Sequence, residues 1–97
     1  MKKRSNQLSL GEAIRLMIAD LGMEEKIFTA QAEETFAEMM GDYIMKYVES
    51  FYVKQQILYV KIKSPELKNE LQYGKSKIIT HINEQIGKVF IIDVKFI

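Results

Sequence analysis

The sequence contains no cysteine and a single histidine, His81. A disulfide framework, a thiolate zinc site, an iron–sulfur cluster and a cysteine nucleophile are therefore excluded, and metal chemistry has little to work with. Long apolar runs are also missing. About 18 to 20 consecutive apolar residues are needed to span a bilayer, and the basic start Met1-Lys2-Lys3-Arg4 is not followed by the apolar stretch of a secretory signal. The expectation is a cytoplasmic protein with no membrane association. Neither G-x-x-x-x-G-K-S/T nor G-x-G-x-x-G occurs, which argues against an ATPase or a dinucleotide-binding enzyme. No nucleophile with a base at hand and no persuasive pair of carboxylates is found, so the chain is read as non-enzymatic, with no cofactor, no metal and no small-molecule substrate.

What is present is the composition of a globular domain: 97 residues, 47% hydrophobic and 28% charged, enough for one core. Net charge is +1, but it is unevenly spread. Residues 1–23 carry +2, residues 24–50 carry −5 and residues 51–97 carry +4. A folded domain with this asymmetry presents one acidic and one basic surface despite a near-zero total.

Residues 1–7 are polar, basic and without periodicity, and are expected to form a flexible arm before a single domain over 8–97. Ser9 and Glu12 make a capping box with Leu8 at the staple position, and Ile14, Met17, Ile18 and Leu21 follow at helical spacing up to Gly22. A first helix over about 9–21 is expected. From Glu24 to Lys46 the apolar residues Ile27, Phe28, Ala32, Phe36, Met40 and Ile44 keep helical spacing, with a break expected near Thr29 or Gly41.

Val48–Val53 and Ile57–Lys63 read as strands, the second with Leu58, Val60 and Ile62 on one face and Tyr59, Lys61 and Lys63 on the other. Their link, Lys54-Gln55-Gln56, lacks the Asn-Gly or Asp-Gly favoured in a type I′ turn, so the turn type stays open. Ser64, Pro65 and Glu66 read as N-cap, first-turn proline and acid of a further helix. Its stripe is Leu67, Leu71, Ile78, Ile82 and Ile86, its stop is Gly87, and a kink or close contact is expected at Gly74. Val89–Ile97 reads as a third strand with Ile92, Val94 and Phe96 inward. The order ααββαβ gives a two-layer α+β domain with a small three-stranded mixed sheet packed on helices, the first two strands antiparallel and the last two parallel.

Among candidate functional residues, Glu34, Glu38 and Asp42 stand at i, i+4 and i+8, which places three carboxylates on one helix face. That face suits a solvated surface, a docking patch for a protein partner or, less well, a cation. His81 reads as a partly exposed structural residue. Met17, Met23, Met39, Met40 and Met45 cluster around the first two helices and read mainly as core filling. The basic second half carries the binding signal: Tyr59, Lys61 and Lys63 on one strand face, and Lys68, Lys75 and Lys77 on the following helix. Lysines beside an aromatic offer phosphate neutralisation together with base stacking, the two ingredients of weak, salt-sensitive single-strand binding. Exposed strand lysines also protect a sheet edge from aggregation.

The ordered set Ser9-Leu10-Gly11-Glu12-Ala13-Ile14, Phe36, Met39-Met40-Gly41-Asp42-Tyr43-Ile44, Ile57-Leu58-Tyr59-Val60, Ser64-Pro65-Glu66-Leu67-Lys68-Asn69-Glu70-Leu71, Ile82-Asn83-Glu84-Gln85-Ile86-Gly87 and Ile92-Asp93-Val94-Lys95-Phe96 resembles the DciA-like family. The resemblance implies a KH-like fold and a role in bacterial DNA replication, in which a protein without ATPase activity binds the replicative helicase and assists its loading on single-stranded DNA. Many relatives have tryptophan where Phe36 and Leu67 stand, which marks both as core positions. The hairpin lacks the glycine common in the family, and a KH-type GXXG clamp is absent. Longer relatives carry a flexible segment outside the domain, whereas here the domain is expected to be the whole protein. The residues by themselves also fit a general RNA-binding or ribosome-associated module, or a protein-interaction adaptor working through its Met-rich helices.

Overall fold

The computed structural model describes residues 9–14 and 23–97. The expected arm, the Leu8 staple, the apolar positions Met17, Ile18 and Leu21 and the Gly22 stop lie outside the described residues. The capping box forms: the Glu12 N–H donates to Ser9 Oγ at 3.1 Å and the Ser9 N–H donates to Glu12 Oε1 at 3.4 Å. Residues 10–14 are helical behind it.

Helix α1, Glu24–Met45, buries Ala32, Thr35 and Phe36. It runs through Thr29 and breaks at Gly41, where φ is 83° and ψ is 167°. That backbone region is essentially restricted to glycine. A side chain there would meet no atom within 4 Å, so conformation rather than space requires glycine. Two expectations change. Regular helical spacing does not connect Glu38 to Asp42, because Gly41 interrupts it, and Ile27 is an exposed member of the expected stripe.

Strands β1 (Val48–Lys54) and β2 (Ile57–Ile62) pair antiparallel, and β3 (Asp93–Phe96) lies parallel to β2, giving the strand order β1-β2-β3. The alternation in β2 holds: Leu58, Val60 and Ile62 are buried and Lys61 is exposed. Gln55 and Gln56 join the first two strands with φ of 53° and 64°. Positive φ at both central residues of a two-residue loop is the type I′ arrangement, adopted here by two glutamines.

The run after Ser64 is two helices instead of one, α2 (Pro65–Gln72) and α3 (Lys75–Ile86). Ser64 caps α2 by accepting the Leu67 N–H at 3.3 Å. At the junction the Tyr73 and Gly74 N–H groups donate to Glu70 and Leu71 carbonyls three residues back, tightening the last turn before the chain restarts as α3. The apolar stripe survives the break, since Leu71, Ile78 and Ile82 are buried and Leu67 and Ile86 pack against the same core. Gly87, at φ 89°, ends α3 as the expected left-handed cap. The observed order is therefore α-α-β-β-α-α-β, counting the helical residues 10–14.

The expected third strand is shortened to four residues, and Ile92 does not face inward: it is 59% exposed, while Phe90 and Ile91 fill the core before the strand begins. Asn83 causes this. Its Oδ1 accepts the N–H groups of Phe90 and Ile91 at 2.9 and 3.0 Å, and its Nδ2 donates to the Ile91 carbonyl at 2.8 Å. Backbone groups bound to a helix side chain are not free for ladder pairing. The core joins α1, α2 and α3 to one sheet face, with Phe36 fully buried and tilted against Phe51 at 5.6 Å. Met39, Met40 and Met45 pack against it, as core filling predicts, whereas Met23 is exposed.

Candidate nucleic-acid interface and partner surface

With Leu58, Val60, Val94 and Phe96 turned to the helices, strand alternation places Tyr52 and Lys54 of β1, Tyr59 and Lys61 of β2 and Lys95 of β3 on the opposite sheet face. Pairing puts Tyr52 opposite Tyr59 and Lys95 beside Tyr59, so one row crosses all three strands. The two tyrosine rings stack with centroids 5.0 Å apart and planes 14° from parallel. Lys61 Nζ lies 3.9 Å from Glu49 Oε1, with both side chains largely exposed. Such a pair contributes about 0.2–1 kcal/mol and leaves the ammonium available to a competing anion.

Of the six residues assigned to nucleic acid from the sequence, Tyr59 and Lys61 share this face. Lys63 follows just beyond β2, where its N–H donates to the Tyr47 carbonyl at 2.8 Å. Lys68 lies on α2, and Lys75 and Lys77 on the first turn of α3. Lys77 lines an open groove of about 550 Å³ between α1 and α3, together with Met39, Ser76, Thr80, His81 and Glu84. It therefore belongs to the helical layer and not to the tyrosine row. Tyr52 and Lys95, which the sequence reading does not name as site residues, join Tyr59 on this face. The signal for both was in the sequence, as alternation in β1 and β3, but linking them to Tyr59 required the pairing register.

Glu34, Glu38 and Asp42 are all exposed. Beside Asp42, Tyr43 packs edge-on to Tyr47 with centroids 5.6 Å apart. The Tyr47 phenol is pushed above its ordinary value, first by hydrogen bonding and charge from Tyr43, then by burial and by the negative charge of Glu66. A second, smaller concavity of about 210 Å³ at the hairpin end includes Glu24, Glu25 and Phe28. There Phe28 meets Phe90 edge-on, and Lys88 Nζ sits 5.3 Å over the Phe28 ring. Among the described residues, no group of three or more His, Asp or Glu side chains is placed to hold a metal ion, and no helix is long and apolar enough to cross a membrane.

The chain is thus a small α+β domain with a basic, aromatic sheet face and an acidic helix. The family model DciA, described as Dna[CI] antecedent, matches residues 9–96, and the chain belongs to the DciA family. Membership suggests a role related to helicase loading in DNA replication, and the family is not a known enzyme family. No curated protein and no solved structure matches the chain.

Proposed function

We propose that this chain is a non-enzymatic, cytoplasmic DNA-replication factor that binds the replicative helicase and assists its loading on single-stranded DNA. The observation that carries this reading is the family match over residues 9–96. With no nucleotide-binding motif of its own, the chain acts by binding energy. It favours a DNA-accepting state of the helicase by holding that state more tightly than the closed one.

The two charged surfaces divide the work. Glu34 and Glu38 on one face of α1, with Asp42 beyond the Gly41 break, form the helicase side. Tyr59, Lys61 and Lys63, extended by Tyr52 and Lys95, form the nucleic-acid side. Lys68, Lys75 and Lys77 add positive charge along the helices that follow β2, steering the strand without stacking on it.

Size-exclusion chromatography of the chain with the replicative helicase of the same organism, both at micromolar concentration, tests the partner. Co-elution is expected, weakened by the triple change Glu34→Gln, Glu38→Gln and Asp42→Asn. Elution as two separate species would remove the helicase role.

A further inference from the structure

The geometry of the tyrosine row restricts how a nucleic acid can use it. Neighbouring strands in a sheet lie about 4.8 Å apart, and the Tyr52 and Tyr59 centroids are 5.0 Å apart with nearly parallel planes. Two rings lying flat on the sheet at that spacing would collide edge to edge. They therefore stack with planes nearly parallel and laterally offset, each ring inclined across the line joining the strands. One face of each ring is covered by the other ring, so a base cannot lie flat across both as it would on a flat platform.

A stacked pair of this kind presents its free ring faces at its two ends. At Tyr59 the end faces β3, where Lys95 holds the register position. At Tyr52 the end faces out over β1, an edge strand in the order β1-β2-β3, and Tyr52 is 43% exposed.

We infer that the outer face of the Tyr52 ring receives one unpaired base of a single-stranded DNA, extending the Tyr59–Tyr52 stack at the sheet edge. The inference rests on the proposed function and names the contact through which its nucleic-acid side acts. The charges on the face suit a polyanion: Lys54 and Lys61 stand two residues along their strands from Tyr52 and Tyr59, and Lys95 completes the row. The opposing acids are Glu49, engaged with Lys61, and half-buried Asp93, whose Oδ1 accepts the Val94 N–H at 2.8 Å. A base inside a duplex is already stacked on both sides, so a single free ring face selects unpaired strands.

A short thymidine oligonucleotide carrying one central fluorescent purine analogue tests this, with quenching reporting stacking and the anisotropy of an end label reporting binding. The wild type and Tyr52→Phe should both quench. Tyr52→Leu, which keeps apolar bulk on the strand, should abolish the quench and weaken binding about tenfold, while a circular dichroism melt shows that it remains folded. Binding without quenching in the wild type, or quenching unchanged in Tyr52→Leu, overturns the stacking site and leaves nucleic-acid binding by this face intact. No anisotropy change with the wild type overturns both. Equal quenching on the matching duplex, or tighter binding of the ribose version of the strand, overturns the assignment to single-stranded DNA.

Discussion

Asn83 and Ile91 hold each other by two reciprocal hydrogen bonds. The Asn83 amide donates to the Ile91 carbonyl at 2.8 Å, and its oxygen accepts the Ile91 N–H at 3.0 Å. With the further bond from the Phe90 N–H, one helix side chain takes up the backbone groups of Phe90 and Ile91, while the Ile92 N–H donates to the Gln56 carbonyl at 2.8 Å. Ile91 is thereby fixed in the core while Ile92 turns outward.

Asn83→Ala should cost about 2 kcal/mol or more, since it strands partly buried backbone donors without partners. Asn83→Asp should recover only part of that, because the carboxylate accepts both N–H groups but repels the Ile91 carbonyl. Urea unfolding of the three proteins checks the order, and a neutral alanine variant would show that water satisfies these groups.

The hairpin is a place where the sequence departs from what its geometry favours. Gln55 and Gln56 occupy positive φ, a conformation that costs a side-chain-bearing residue about 1 kcal/mol or more relative to glycine. The side-chain bond from Gln56 Nε2 to the Val89 carbonyl is long, at 3.5 Å, and offsets little of this. The double change Gln55→Asn and Gln56→Gly should therefore stabilise by about 1 kcal/mol. In a domain of this size that raises Tm by about 4–8 °C in a calorimetric scan.

Two glycines with similar sequence roles should respond differently to alanine. Gly41→Ala should cost about 1–3 kcal/mol because of its φ of 83° and ψ of 167°. Gly74 has φ −104° and ψ 11°, and its nearest neighbour to a new methyl group is the Leu71 carbonyl at an ordinary 3.8 Å. Gly74→Ala should fall within about 0.5 kcal/mol of the wild type. Thermal melts of the pair decide the matter.

On the open sheet face, Lys61→Glu with Lys95→Glu should leave the melting temperature unchanged, because the single ion pair lost is exposed. Single-strand affinity should fall at least about tenfold. The slope of log K against log salt should become shallower by about 1.4, the share of two phosphate contacts on a single strand. Fluorescence anisotropy at several salt concentrations measures both, and unchanged binding would remove this face as the nucleic-acid side.

Much of the fold was legible because local signals were strong. The capping box at Ser9, the Ser64-Pro65 helix start, the Gly87 stop and the alternation of Leu58, Val60 and Ile62 all appear as expected. The misses arise where tertiary contacts override the local pattern. Ile92 fits an alternating strand by spacing, yet Asn83, nine residues earlier, claims the backbone beside it. Glu38 and Asp42 share a face only on an uninterrupted helix, and Gly41 interrupts it. For the candidate site, Tyr59 and Lys61 were readable from one strand, whereas Tyr52 and Lys95 depend on registers in two strand pairs. Lys77, grouped with them by charge and expected on the helical run, lines the α1–α3 groove.

The most direct test of the loading role is the amount of replicative helicase retained on circular single-stranded DNA, measured with and without an excess of this chain. More helicase is expected on the circle when the chain is present, and that gain is expected to be lost in the Glu34→Gln, Glu38→Gln, Asp42→Asn variant. Equal retention with and without the chain, under conditions where the helicase itself is active, would contradict it.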